Sequence, residues 1–111
     1  MSRREIAADS ATRRTLGDSF LRIVRTYTSR FPIDKGKFRL MTFAMNTVSD
    51  LPPPVTVKTK DGCPMWADLR SGMHTFVYFL GDYEPAISDI VRTLVDPGSC
   101  CIDAGANFGW Y

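Results

Sequence analysis

The pattern that indicates the fold class lies in residues 81–111, GDYEPAISDIVRTLVDPGSCCIDAGANFGWY. The stretch begins as a turn, and Pro85 stands where the first residue of a helix is expected. Apolar residues then follow the spacing of one helix face: Ile87, Ile90, Val91, Leu94 and Val95. Asp96-Pro97-Gly98 ends the predicted helix, residues 99–103 form a predicted short strand, and residues 104–109 form a turn of small residues. This order predicts the start of a β-α-β unit and therefore an α/β fold.

An acidic residue directly before the glycine-containing loop is the chemically informative feature. Asp103 ends the predicted strand, at the edge where open α/β sheets bind their ligands. Gly105 permits a sharp turn, and Asn107 tolerates a positive φ better than most residues. We expect Gly109 to lie where a following helix crosses close to the strand. An acid at this edge repels a pyrophosphate but suits a ligand that has an ammonium group or hydroxyls.

Residues 101–111, CIDAGANFGWY, resemble the first cofactor motif of the FkbM family of methyltransferases, which use S-adenosyl-L-methionine (SAM). In that family an apolar strand runs into Asp, a small residue and Gly-Ala-Asn. Residues 81–85, GDYEP, are similar to the family's approach to the motif. The resemblance covers residues 57–111, whereas residues 1–50 have no assignable motif. It implies a Rossmann-like fold, here preceded by an N-terminal helix and a β-hairpin.

The resemblance also implies a cofactor, a reaction and a set of site residues. SAM has an ammonium, a sulfonium and ribose hydroxyls, which fit an acidic loop, and its carboxylate can bind backbone N–H groups. The implied reaction is methyl transfer to a hydroxyl of a sugar, a glycan or a secondary metabolite, and the enzyme chiefly aligns that hydroxyl with the sulfonium. No residue stands out as a general base. The implied cofactor-binding residues are Asp103, Ala104, Gly105, Ala106, Asn107 and Gly109, with Glu84 near the same cleft.

The length of 111 residues is short for this fold. A doubly wound sheet needs several β-α-β units of about thirty residues each, and most of them are missing here. We therefore expect a truncated N-terminal portion, with residues 1–50 as a helical extension and residues 51–111 as the start of the methyltransferase domain. We expect this portion to be inactive and only marginally folded by itself.

Composition and charge exclude several classes of protein. With 44% hydrophobic and 23% charged residues, the chain is typical of a folded soluble domain. A net charge of +2 does not point to nucleic acid. The longest apolar run, residues 76–80, is far shorter than the about 20 residues of a membrane span. Residues 1–10 form no secretory signal, and three cysteines without a CxxC spacing favour the reducing cytoplasm.

The N-terminal region predicts one long amphipathic helix. Residues 1–10 are polar and we expect them to be loose, whereas residues 12–30 have helical spacing and end before Pro32. The predicted buried face consists of Leu16, Phe20, Ile23, Val24 and Tyr27. Four arginines lie largely off that face: Arg13, Arg14, Arg22 and Arg25. We expect this helix to pack on its own domain.

The middle of the chain predicts a hairpin between less regular segments. Residues 37–47 are interpreted as a strand or irregular, and the proline run at residues 52–54 as a connector. Residues 55–59 and 63–69 predict two paired strands around a Lys-Asp-Gly turn. Residues 76–80 fit either a short buried strand or a helical turn.

The isolated histidine, aspartate and cysteine residues are predicted to have structural roles rather than to form reactive or metal-binding sites. We expect His74 to be a surface or hairpin residue rather than a metal ligand, and Asp82 to be a solvated turn residue. Cys100 and Cys101 alternate along the predicted strand and are expected to be packed, inert thiols.

Two other functions compete with the methyltransferase interpretation. A dinucleotide-binding oxidoreductase requires Gly-x-Gly-x-x-Gly after the strand, and here Asn107 occupies one of the positions. A small binding module would present the arginines of residues 12–31 to an acidic partner, without any enzymatic activity. If added salt steeply weakened binding to the acidic partner, the binding-module alternative would be favoured.

Overall fold

The structure, a computed structural model, describes residues 3–111, with the side chains of Asp9 and of residues 11–111. It contains both α-helices and β-strands, which confirms the coarse prediction of a mixed α/β fold. Its helices are α1 (Arg3–Arg30), α2 (Lys37–Thr47), α3 (Gly72–Leu80) and α4 (Pro85–Leu94). Its strands are β1 (Val55–Lys58) and β2 (Pro64–Ala67), which pair antiparallel. Within residues 3–111 no helix is long and apolar enough to cross a membrane.

Helix α1 is longer than the sequence pattern predicts. It already includes residues 3–10, so the expectation of a loose N-terminus is wrong for these residues. It ends at Arg30, and this end is confirmed: Pro32, two residues later, has no N–H with which to continue the helix.

The buried face of α1 differs from the predicted one. Leu21, Val24 and Thr28 are buried, at spacings of three and four residues. In contrast, Leu16 and Ile23 of the predicted face are 66% and 69% exposed. Apolar residues lie on more than one side of this helix, and contact with α2 and α3 selects the side that is buried.

Helix α2 corrects the interpretation of residues 37–47 as a strand or irregular segment. It begins after Gly36, whose φ of 89° is accessible to glycine at little cost. Its inward-facing residues follow a helical spacing that continues past its last turn: Leu40, Met41, Ala44, Met45 and Val48. The proline run at residues 52–54 is a connector, as predicted.

The β-hairpin is confirmed in both of its strands and in its turn. Val55 pairs with Ala67 and Lys58 with Pro64, which fixes the antiparallel register. The turn between the strands is closed by the Gly62 N–H, which donates to the Thr59 carbonyl at 2.9 Å.

Residues 76–80 belong to α3, so the helical alternative is the correct one. The helix ends at Gly81, whose φ of 68° turns the chain away and lets its N–H bond the Val77 carbonyl. The Gly81 carbonyl then accepts the Lys60 N–H at 2.8 Å, which joins the end of α3 to the hairpin turn. Asp82, Tyr83 and Glu84 follow directly from this junction.

Helix α4 is confirmed with Pro85 as its first residue, but the elements around it differ from the expectation. Its apolar face is exposed, with Ile90 at 58% and Leu94 at 75%. Residues 99–103 form no strand and are exposed, so the predicted strand is wrong for the structure described. Within residues 3–111 no strand pairs with this segment, and an unpaired strand lacks the hydrogen bonds that would hold it extended. Cys100 and Cys101 are exposed as a consequence, not packed.

One hydrophobic core joins the N-terminal helices to the hairpin and α3. Leu21 and Val24 of α1 and Met41 and Ala44 of α2 belong to it. The remaining members come from the hairpin region and α3: Val57, Ala67, Leu69, Val77, Tyr78 and Phe79. The division of the chain at residue 50 stays a prediction.

Two leucines of α1 test which face of that helix is buried. Leu21 is 0% exposed, so Leu21→Ala is expected to lower the free energy of unfolding by about 2–5 kcal/mol. Leu16 is 66% exposed, so Leu16→Ala is expected to cost less than about 0.5 kcal/mol. Urea denaturation followed by circular dichroism measures both. Equal losses in the two variants would contradict the observed orientation of α1.

Candidate functional site

The predicted cofactor loop, residues 104–109, consists of consecutive turns. Gly105, Asn107 and Gly109 have φ values of 84°, 51° and 74°, so the left-handed conformations that we expect of Gly105 and Asn107 are present. The last turn is closed by the Gly109 N–H, which donates to the Ala106 carbonyl at 2.7 Å. The helix crossing expected at Gly109 is not formed among the described residues, because a Cβ built there meets no atom within 4 Å.

The first half of the loop faces solvent. Asp103, Ala104, Gly105 and Ala106 are all exposed. Asp103 follows an irregular segment rather than a strand, and within residues 3–111 its carboxylate forms no hydrogen bond or ion pair. This half of the loop therefore presents a free carboxylate next to accessible backbone.

The second half of the loop and the residues after it dock on α3 and α4. The Asn107 Nδ2 donates to the Met73 sulfur at 3.2 Å, near the start of α3. The Trp110 Nε1 donates to the Ser88 hydroxyl at 2.8 Å, in the first turn of α4. These two side-chain bonds hold the loop on the helical part of the molecule.

Aromatic rings continue this docking into the interior. The Phe108 ring lies 5.1 Å from the His74 ring and 5.4 Å from the Tyr83 ring, edge to face in both cases. Tyr83 in turn lies 6.3 Å from Phe76. A chain of edge-to-face contacts thus leads from the loop to the inner side of α3.

His74 lies within α3 and is only partly exposed. Its Nδ1 accepts the Asp68 N–H at 3.1 Å, so the ring fixes the segment that follows β2. Within residues 3–111 no group of three or more potential metal ligands is present. The prediction of a surface or hairpin position for His74 is wrong, because its contacts with Asp68 and Phe108 hold the ring partly buried within α3.

Glu84 is a predicted site residue that lies at the start of α4. It has a φ of 49° immediately before α4, and its Oε2 accepts the Tyr111 hydroxyl at 3.1 Å. The structure therefore brings Glu84 next to the residues that follow the loop. It records no contact between Glu84 and Asp103.

Glu84 also lines a cleft of about 630 Å³ between the start of α2, the end of α3 and the start of α4. We call this the α2–α4 cleft. Its apolar wall consists of Phe38, Phe76, Leu80, Tyr83 and Pro85. Its charged residues are Asp34, Lys37, Lys60, Asp82 and Glu84. Such a volume is typical of small-molecule sites.

The sequence pattern does not identify the α2–α4 cleft. Lys37 and Phe38 lie in residues 37–47, which the sequence predicts as a strand or an irregular segment. Because these residues instead form α2, both line the cleft together with Phe76. Asp82 was expected to be solvated, yet it is buried. Its Oδ1 accepts the Tyr83 N–H at 2.9 Å, and its Oδ2 lies 3.7 Å from the Lys60 ammonium.

Electrostatics around these sites shift two pKa values in opposite directions. The hydrogen bond and charge of Lys37 lower the pKa of Asp34, so the Asp34 carboxyl group is ionised at neutral pH. Partial burial raises the pKa of the Tyr111 phenol, and its hydrogen bond to the Glu84 carboxylate raises it further. Tyr111 is therefore a neutral donor to Glu84 over the physiological range.

The chain has no match among protein-family models, curated proteins or solved structures. Its function therefore has to be inferred from its own residues. Two surfaces carry groups suited to a ligand: the exposed half of the loop and the α2–α4 cleft.

The hydrogen bond between Tyr111 and Glu84 is testable by titration. Glu84→Gln removes the negative charge that disfavours the phenolate, so the raised pKa of Tyr111 is expected to fall toward the ordinary value of 10.0. NMR detection of the Tyr111 Cζ resonance against pH measures this change. Asp96→Asn, which removes an exposed carboxylate elsewhere, is expected to leave the pKa unchanged. An unaltered Tyr111 titration in Glu84→Gln would show that the bond is not formed.

Proposed function

We propose that this chain contributes the cofactor loop of a SAM-dependent O-methyltransferase related to the FkbM family, with a Rossmann-like fold. The observation that supports this most directly is the loop after Asp103. It combines an unpaired carboxylate with left-handed residues at Gly105, Asn107 and Gly109, and its first half is open to solvent. A ligand can approach such backbone closely because the glycines have no Cβ.

The chemistry of the loop matches one end of SAM. The Asp103 carboxylate attracts an ammonium group, and backbone N–H groups of the turns can donate hydrogen bonds to a carboxylate. Gly105, Asn107 and Gly109 shape the loop, while Ala104 and Ala106 keep it free of bulk. Glu84 adds a second carboxylate on the side of the loop that docks on α4.

The proposed fold requires residues 99–103 to extend as a strand within a parallel sheet. Exposed apolar surface supports this proposal: Ile102 is 90% exposed and Leu94 of α4 is 75% exposed. In Rossmann-like folds, strands and the helices beside them bury such residues against each other.

In the proposed reaction the acceptor is a hydroxyl of a sugar, a glycan or a secondary metabolite. SAM, when bound, supplies a methyl group whose bond to sulfur breaks as its bond to the acceptor oxygen forms, while the hydroxyl proton leaves to a base. The role of the residues described here is to hold and orient the cofactor. We place this activity in the cytoplasm.

The alternative of a binding module that presents arginines has less support. The Arg25 guanidinium points inward and donates to the Tyr78 carbonyl at 2.9 Å. Arg13 pairs with Asp9 at 3.0 Å, and Arg14 lies 3.9 Å from Asp50. These contacts offset part of the positive charge that an acidic partner would need.

A titration with SAM, followed by amide NMR of the labelled chain, tests the proposed function. We expect shifts concentrated in residues 103–109, with half-saturation weaker than micromolar because residues 99–103 are not extended. Asp103→Asn is expected to weaken binding several-fold, since it removes the partner of the ammonium group.

Asp96→Asn is the matched control, because it removes an exposed carboxylate of the same type outside the loop. Unchanged loop resonances at millimolar SAM would refute the proposal. Equal binding by the Asp103→Asn variant and the unmodified chain would refute the role of Asp103.

A further inference from the structure

The α2–α4 cleft has an aromatic wall that the core does not bury. Phe38 is 62% exposed and stacks on Phe76 with 6.2 Å between ring centroids. The Tyr83 ring also contacts Phe76, edge to face, with 6.3 Å between ring centroids. Three rings therefore form a continuous surface that a flat or alkyl group can cover.

Ion pairs neutralise both cationic side chains of the cleft. The Lys37 ammonium lies 2.9 Å from the Asp34 carboxylate, and the Lys37 side chain is only 11% exposed. The Lys60 ammonium lies 3.7 Å from Asp82, whose side chain is 5% exposed. An anionic ligand would have to compete with a carboxylate for either lysine.

The Glu84 carboxylate carries a negative charge that neither lysine of the cleft balances. Within residues 3–111 its carboxylate forms no ion pair, and its hydrogen-bond partner is the neutral Tyr111 hydroxyl. Three carboxylates face two ammonium groups in the cleft, so the site as a whole is negative. Aromatic faces next to an unpaired carboxylate are the combination that attracts organic cations.

We propose that the α2–α4 cleft binds a small organic ammonium ion, with its aromatic or alkyl body on Phe38, Phe76 and Tyr83 and its charge at Glu84. The cleft is formed entirely by residues 34–85 and includes none of residues 103–109. Glu84 is shared with the proposed cofactor site, but the loop of residues 103–109 is not, so amide shifts at the loop and at the cleft let the two proposals fail separately.

Three probes of similar shape and different charge test this proposal: 2-phenylethylammonium, 2-phenylethanol and 3-phenylpropanoate. Each is titrated into the labelled full chain, and amide NMR identifies the site. We expect shifts at residues 37–38 and 83–84, with the ammonium probe binding about threefold to fivefold more tightly than the alcohol and the anion binding most weakly. Preference for the anion, equal affinity for all three, or shifts at residues 103–109 instead would overturn the proposal.

Two variants separate the charged and aromatic contributions. Glu84→Gln keeps the shape of the side chain and is expected to reduce the ammonium affinity to that of the alcohol, whereas Asp96→Asn is expected to change nothing. Phe38→Ala removes an exposed ring and is expected to weaken all three probes by a similar factor. Retention of the ammonium preference in Glu84→Gln would overturn the role of Glu84, and unchanged binding in Phe38→Ala would overturn the position of the ligand body.

Discussion

The attachment of α1 to the carboxyl end of α3 is the interaction on which the rest of the structure depends. The last carbonyls of a helix have no partner within the helix. Here the Arg25 Nε donates to the Tyr78 carbonyl, and the Thr28 hydroxyl donates to the Phe79 carbonyl. Arg25 adds a positive charge at the negative end of the helix dipole, which favours the same arrangement.

This attachment also determines where the candidate site lies. With the end of α3 held by α1, Gly81 turns the chain toward the hairpin and binds Lys60 through its carbonyl. Asp82, Tyr83 and Glu84 leave that junction in a defined direction, with Glu84 in a left-handed conformation. The α2–α4 cleft and the contact between Glu84 and Tyr111 both depend on this local geometry. Tyr83 lies between these two features in the chain of contacts, because its ring contacts both Phe76 and Phe108.

The parts of the fold that the sequence predicts correctly have strong local signals. Pro32 and Pro85 bound two helices, and a Lys-Asp-Gly turn closes the hairpin. Residues 37–47 form a helix rather than the predicted strand or irregular segment. The usual sequence signal for a helix start is absent there, because Gly36 precedes the helix and no side chain caps it. The strand at residues 99–103 is wrong for a different reason: a strand exists only if a neighbour pairs with it. Positive φ at Gly105 and Asn107 was predicted, since it follows from residue type.

By itself the sequence determined where α1 ends and where α4 begins, the hairpin and the chemical character of the loop after Asp103. These are properties of neighbouring residues and of the restricted backbone of proline and glycine. Only the tertiary structure decided which face of α1 is buried, that Asp82 is enclosed and that Phe38, Phe76 and Glu84 line one cleft. These depend on contacts between distant parts of the chain, such as those of Arg25 and Thr28 with carbonyls 53 and 51 residues away. Residue spacing within one segment contains no information about such partners.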